Sequence, residues 1–215
     1  MIFLGCDGGS TKTEWLLVDH TGQVLAHRIF PGCNFAFWGE DGFRDLMVRS
    51  VQTLLADSGI TSQQITSAML SLTVYGEVPG TEEFFPQVMQ SILPDCPLQF
   101  SNDSVAGWCG SLAGRPGINI VAGTGSVAYG QDSAGNASRV GGWSLFFADE
   151  GSCSWVARQM ITEFVKQADG RHPRSAIYEE LRQELSITHD LYFSGYLQTN
   201  VRQDSSLLAK LQLVV

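Results

Sequence analysis

Short apolar runs separated by polar turns open the chain. Ile2–Cys6 and Glu14–Val18 read as strands, Asp19–Gly22 as a turn, and Gln23–Phe30 as a third strand. Short connections of this kind predict an antiparallel meander. The period then changes: from about Glu40 to Ser58, residues Phe43, Leu46, Met47, Val51, Leu54 and Leu55 fall on one helical face. Thr61 and Gln64 have capping-box spacing ahead of a short helical turn. Thr66–Thr73 predicts a buried strand, Thr81–Leu93 a helix, Leu98–Ser101 a strand, and Asp103–Leu112 a helix capped by Asn102 or Asp103.

A second round follows. Ile118–Ala122 and Ser126–Gln131 predict strands flanking a Gly-Thr-Gly turn, Ser133–Asn136 a turn, and Arg139–Trp143 a third strand. Glu150–Ala168 has helical spacing, and Ser205–Val215 predicts a helix running into a strand. The repeated order predicts an α/β protein of two related lobes, residues 1–105 and 106–215, with a seam near residues 104–117. The second lobe lacks strands to finish its sheet, so the chain is expected to be shorter than the fold it belongs to.

Composition narrows the classes. Of 215 residues, 44% are hydrophobic and 16% charged, which supports a packed core and excludes a largely disordered chain. Lys plus Arg total 13 against 22 Asp plus Glu, a net charge of −9, which argues against a nucleic-acid partner. No apolar run approaches the roughly 20 residues that span a bilayer, so no membrane partner is expected. MIFLGCDGG carries no basic leader, and Cys6, Cys33, Cys96, Cys109 and Cys153 form no Cys-x-x-Cys pair. Both features predict reduced thiols and a cytoplasmic location. Glycine, at 23 residues, exceeds the usual share and points to backbone that approaches a ligand.

Four segments carry candidate chemistry. Asp7-Gly8-Gly9-Ser10-Thr11-Lys12-Thr13 joins two strands; its hydroxyls and N–H groups suit phosphate oxygens, and Asp7 is placed to hold Mg²⁺. It leads into a strand, so it is no Walker A loop. Asn102-Asp103-Ser104-Val105-Ala106 stands at a strand-to-helix junction. Asp103 there either orients a substrate hydroxyl or caps the helix. Gly123-Thr124-Gly125-Ser126 also fits Gly-x-Gly-x-x-Ala through Ala128, but a dinucleotide site needs a following helix, and a strand is expected. A second phosphate-facing hairpin is the preferred reading. Gly141-Gly142-Trp143 with Asp149-Glu150-Gly151-Ser152 suits a polyhydroxylated ligand, Trp143 stacking on a sugar face; the acidic pair also suits a helix N-terminus. His20, His27, His172 and His189 lie outside all four segments, which leaves a His triad or zinc hydrolase unsupported.

In this order the segments resemble the sugar-kinase/Hsp70/actin superfamily, and within it the N-acetylglucosamine kinase group of the BadF/BadG/BcrA/BcrD ATPase family. The resemblance runs from residue 2 to about 165 and rests on DGGSTKTEWLLVD, PGCNF, NDSVA, AGTGS and GGWSLFFADEGS. It implies a ribonuclease H-like actin/sugar-kinase fold, a mixed sheet flanked by helices. It implies ATP and Mg²⁺ at Asp7, Gly8, Gly9, Ser10, Thr11, Lys12 and Thr13, with Gly123, Thr124, Gly125 and Ser126 as the second phosphate element. It implies Asp103 as the base toward a sugar hydroxyl, and Asn34, Thr124, Gly142, Trp143 and Asp149 near the sugar. It further implies phosphorylation of an amino sugar, N-acetylglucosamine or glucosamine, and a homodimer. Ser144 and Phe147-Ala148 depart from the family's GGWGxxLGDEGS, and no adenosine-binding glycine motif follows Ala168. Two rival expectations stand beside this one. One is an iron–sulfur ATPase activator using cysteines such as Cys109 and Cys153. The other is a non-catalytic sugar- or nucleotide-binding fragment.

Overall fold

The computed structural model describes residues 1–144, 146–201 and 205–214. Leu145, in the expected sugar segment, and Val215, at the end of the expected terminal strand, lie outside the described residues. Contacts divide the chain into two compact units, Met1–Gly114 and Arg115–Val215. The division falls at the far end of the predicted seam, so the Asp103 helix belongs whole to the first unit and is not cut at residue 105.

In the first unit the opening meander forms as read. Strands β1 (Ile2–Gly8), β2 (Lys12–Asp19) and β3 (Val24–Pro31) pair antiparallel in sequence order. Strands β4 (Ser67–Leu72) and β5 (Leu98–Ser101) extend the sheet on the β1 side, both parallel to it, giving the order β3-β2-β1-β4-β5. The parallel strands require crossovers, and helices supply them. Helix α1 (Phe35–Ser58) leads to β4 and α2 (Thr81–Ile92) to β5. Alternation along β1 and β2 sends Leu4, Cys6, Trp15 and Leu17 into one core with Phe43, Met47, Phe85 and Met89 from α1 and α2. Phe43 and Phe85 stack there with centroids 4.1 Å apart. The opposite sheet face carries Gly5, Asp7, Glu14, Leu16, Met69 and Ser71. It borders helix α3 (Asp103–Leu112) across a groove of about 510 Å³.

Helix α1 starts five residues earlier than its periodicity predicts. A non-helical Gly39 (φ 64°, ψ −175°) kinks it, and only the straight part beyond the kink shows the regular apolar face. The capping arm at Thr61 is present: its N–H donates to Gln64 Oε1 at 2.8 Å, ahead of a 3₁₀ turn at Ser62–Gln64.

In the second unit β6 (Gly117–Ala122), β7 (Ser126–Gln131) and β8 (Ala137–Gly141) form an antiparallel sheet in sequence order. Strand β8 stops short of the predicted Trp143 where Gly141 and Gly142 turn left-handed (φ 77° and 68°), and Arg139 donates to Gly142 O at 2.6 Å. Helix α4 (Cys153–Ala168) begins three residues later than expected. Ser152 is its N-cap, Oγ accepting from Trp155 N–H at 3.1 Å, so Asp149 and Glu150 precede the first turn. Helices α5 (Ala176–Glu184) and α6 (Tyr192–Tyr196) follow, then a π-helical turn at Leu197–Val201 and α7 (Ser205–Leu211). The expected terminal strand is instead a 3₁₀ turn, Gln212–Val214. Leu208 and Leu211, three residues apart, are both held in a helical core with Ala157, Phe164, Tyr178 and Phe193.

Candidate active site

The sequence-predicted residues fall into two groups, one in each unit. In the first unit they gather at the carboxyl ends of the three parallel strands, the usual ligand edge of such sheets. After β1 comes the turn Gly9–Thr11, after β4 comes Thr73, and after β5 come Asn102 and Asp103.

The turn is clamped from behind. Cys33 N–H donates to Gly9 O at 3.1 Å and Gly32 N–H to Thr11 O at 3.2 Å. Gly32 lies so close that a Cβ there would sit 2.0 Å from Ser10 O, which only glycine permits. Thr73 N–H donates to Gly8 O at 2.6 Å, and Thr73 Oγ1 lies 3.3 Å from Ser10 Oγ. Asn34 accepts from Ala36 N–H at 3.0 Å, capping α1, and its amide donates to Ser10 Oγ at 3.4 Å. Asn34 thus holds the turn in place. Ser10, Thr11 and Lys12 remain exposed, while Gly8 and Thr13 are buried, Thr13 Oγ1 donating to Pro31 O at 2.9 Å.

Electrostatics separates two neighbouring carboxylates. Asp7 and Glu14 are direct partners across β1 and β2, an arrangement that costs stability unless something compensates. Glu14 is compensated: Lys12 Nζ at 2.7 Å and His27 Nε2 at 2.9 Å hold its carboxyl below the ordinary range. Asp7 makes no hydrogen bond among the described residues. The protein mass around it pushes its carboxyl above the ordinary value, Lys12 opposing and Glu14 adding to the shift. A half-desolvated carboxylate without a donor, beside a glycine turn, fits a bound cation. Burial raises the Cys6 thiol well above its usual value and pushes Cys33 up to about 11, the charge of Asp103 adding to the latter. Both thiols are therefore protonated and poor metal ligands.

Asn102 caps α3, Oδ1 accepting from Ser104 N–H at 3.2 Å and Ser104 Oγ at 2.8 Å. The capping role therefore belongs to Asn102, and Asp103 occupies the first turn.

In the second unit the turn Gly123–Gly125 is clamped by the start of α4 and the segment before it. Cys153 N–H donates to Gly123 O at 2.9 Å, and Ser126 Oγ donates to Glu150 O at 2.8 Å. Asp149 is 6% exposed in a left-handed conformation (φ 57°). Its Oδ1 accepts from Ser144 N–H at 3.3 Å, and its Oδ2 lies 2.5 Å from where a Cβ on Gly125 would be. The structure thus brings Asp149 onto the Gly123–Ser126 turn. Arg158 braces the segment before Asp149, donating to Phe146 O and to Ala148 O. Gly142 adjoins this segment, and Trp143 is 87% exposed, its indole open to solvent. A strand follows Gly125, so the helix a dinucleotide site requires is not there.

Sequence reading missed Thr73, and it quoted Gly32 and Cys33 only within the PGCNF motif, without a role. Thr73 had a usable signal, a polar residue immediately after a buried parallel strand. The clamping role of Gly32 had no signal, since it depends on a turn about twenty residues away in sequence.

Comparison with known proteins follows the geometry. The model of the BadF/BadG/BcrA/BcrD ATPase family matches residues 4–211. The N-acetyl-D-glucosamine kinase of Dictyostelium discoideum is 26% identical over 200 residues, 88% of this chain and 62% of the relative. The N-acetylmuramic acid/N-acetylglucosamine kinase of Clostridium acetobutylicum is 23% identical over 207 residues, 92% of this chain and 66% of the relative. The chain thus spans under two thirds of the length of these curated relatives. A solved structure assigned as an N-acetylglucosamine kinase from Chromobacterium violaceum superposes with a TM-score of 0.75 at 19% identity, covering 99% of this chain and 72% of the other. The fold is the mixed-sheet actin/sugar-kinase fold that the sequence motifs imply.

Proposed function

Because the chain belongs to the BadF/BadG/BcrA/BcrD ATPase family, we propose that it carries the machinery for moving the terminal phosphoryl group of ATP onto an amino sugar, N-acetylglucosamine or glucosamine. The names of its relatives support this reading. The observation that carries it is the convergence, in one unit, of a clamped glycine turn, an Asp7 without a hydrogen-bond donor, and Asp103 at the ends of three parallel strands.

In this reading Gly9, Ser10 and Thr11 face the phosphates, and the buried Gly8 and Thr13 hold the base of that turn. Gly123, Thr124, Gly125 and Ser126 form its counterpart in the second unit. Lys12 contributes positive charge beside Asp7. Asp7 would hold Mg²⁺, which supplies charge neutralisation of the phosphates. Asp103 orients the acceptor hydroxyl and takes its proton. Within the second unit Trp143 offers a flat face to a sugar ring, with Thr124, Gly142 and Asp149 beside it; within the first unit Asn34 supports the phosphate-facing turn. Phosphoryl transfer passes through a loose transition state, so positioning and charge supply most of the rate.

The test is sugar-dependent ADP release with Mg²⁺ and ATP, using N-acetylglucosamine, glucosamine and glucose. Asp103→Asn should keep the parent melting curve and lower kcat by about 100-fold or more. Near-parent turnover in that variant would remove Asp103 from the chemistry. If the parent chain is inactive, restored turnover in a longer chain containing the rest of the relatives' length supports the kinase reading. Sugar binding without turnover there favours the binding module.

A further inference from the structure

The loop from Thr73 to Gly80 joins β4 to α2 and carries none of the sequence motifs. Its backbone is tightly built. Val74 sits at φ 61°, a region that a β-branched residue enters only when its surroundings impose it. The Thr81 side chain, 1% exposed, accepts from Gly76 N–H at 3.1 Å and donates to Val78 O at 2.7 Å. Tyr75 stacks on Phe100 with centroids 5.7 Å apart, fastening the loop to β5.

The start and the middle of this loop each touch one half of the first unit's site. At its start, Thr73 meets Gly8 O and Ser10 Oγ. Four residues on, Glu77 Oε1 accepts from Asn102 Nδ2 at 2.8 Å. Asn102 has one side-chain amide, and both ends of it are committed. Its oxygen caps α3 through Ser104, and its nitrogen is tied to Glu77. The acceptor on Glu77 therefore fixes which way the amide points, and the amide fixes the first turn of α3, where Asp103 sits.

We propose that Glu77 is a positioning residue for Asp103, acting through Asn102, and that the Thr73–Gly80 loop is a strap linking the phosphate turn to the helix that bears the base. The positioning role rests on the phosphotransfer reading above; the tether itself does not. Without an acceptor at position 77 the Asn102 amide is free to rotate, and the first turn of α3 opens more often. With the acceptor retained but its charge removed, the turn stays closed.

The experiment compares Glu77→Ala and Glu77→Gln in the 215-residue chain, reading amide hydrogen exchange residue by residue and then sugar-dependent turnover. Glu77→Ala should speed exchange at Ser104 by about tenfold, the scale of one lost hydrogen bond to a charged group, while the β1 and β4 amides keep their parent rates. It should lower kcat by a similar factor and leave KM for ATP unchanged. Glu77→Gln, whose side-chain oxygen accepts the same bond, should restore both. Unchanged Ser104 exchange in Glu77→Ala, or a Gln variant as impaired as the Ala variant, would overturn the proposal. Exchange decides the tether even where the chain shows no turnover. Failure of the phosphotransfer reading is seen separately, as full activity in Asp103→Asn.

Discussion

Substituting Gly32 by alanine puts a single methyl group against the phosphate turn. The new Cβ would lie 2.0 Å from Ser10 O, 2.4 Å from Ser10 C and 2.8 Å from Thr11 N. All three are backbone atoms, so no rotamer change relieves the contact. Ordinary contact begins near 3.4 Å, and the turn must retreat by about 1.4 Å or the Gly32 segment must lift by as much. Either movement breaks the bonds from Gly32 N–H to Thr11 O and from Cys33 N–H to Gly9 O. Each is worth about 1 kcal/mol net, and the residual overpacking adds about 1 kcal/mol, so the expected loss is ~3 kcal/mol. That corresponds to a drop in Tm of about 6–12 °C for a chain of this size. A turn displaced by about 1 Å should also lose about 100-fold in turnover if it positions the phosphates. The assay is a thermal melt followed by circular dichroism, with Gly110→Ala as the matched control. Gly110 lies within α3, and a methyl group there would meet only open space, so alanine should stabilise by about 0.5–1 kcal/mol. A Gly32→Ala protein melting within about 1 °C of the parent would refute the close approach, and with it the clamped turn.

Two further outcomes follow from the same geometry. Burial and Glu14 raise the Asp7 carboxyl above its ordinary value, so its charged form disfavours the fold. That penalty is present in full above the raised value and vanishes as pH falls below the ordinary one. Asp7→Asn should therefore raise Tm at neutral pH, with the gain disappearing in acid, while abolishing Mg²⁺-dependent nucleotide binding. Titration calorimetry and melts between neutral and acid pH check both halves; an Asn variant that melts lower at neutral pH contradicts the sign. Trp143→Ala, at an exposed position, should change stability by less than ~0.5 kcal/mol and weaken sugar binding by about tenfold. An unchanged sugar Kd would take Trp143 out of the site.

What was legible in the sequence was local. The β1–β3 meander announces itself through alternation and short turns, and Asn102 through its place between an apolar strand and a helical run. The α1 kink was not legible, because Gly39 reads as a helix boundary when the turn before it is packed on Gly32, to whose carbonyl Trp38 Nε1 donates at 2.6 Å. Helices α5 and α6 carry no comparable signal: the first is polar and the second only five residues long, and they gain their order from Tyr178, which stacks on Phe164, and Phe193, which packs on it at a tilt. At the candidate site, the motif residues were visible as motifs. Their supports were not. Thr73 and Glu77 are ordinary residues in ordinary contexts until the chain brings Gly8 and Asn102 beside them, and Gly32, though part of PGCNF, shows its role only where it meets Ser10.

The β6–β8 sheet adds no side chain to either core among the described residues. Ile118, Ile120 and Val140 are 72%, 71% and 70% exposed, and neither β6 nor β8 has a further strand beside it in the three-stranded sheet. Bare strand edges beside branched apolar side chains favour pairing with other chains. The consequence is colloidal. Concentration will limit how long this chain stays dispersed before its unfolding temperature does, and a lysine in place of Ile120 is the change that should lengthen its shelf life without touching the Gly123–Ser126 turn.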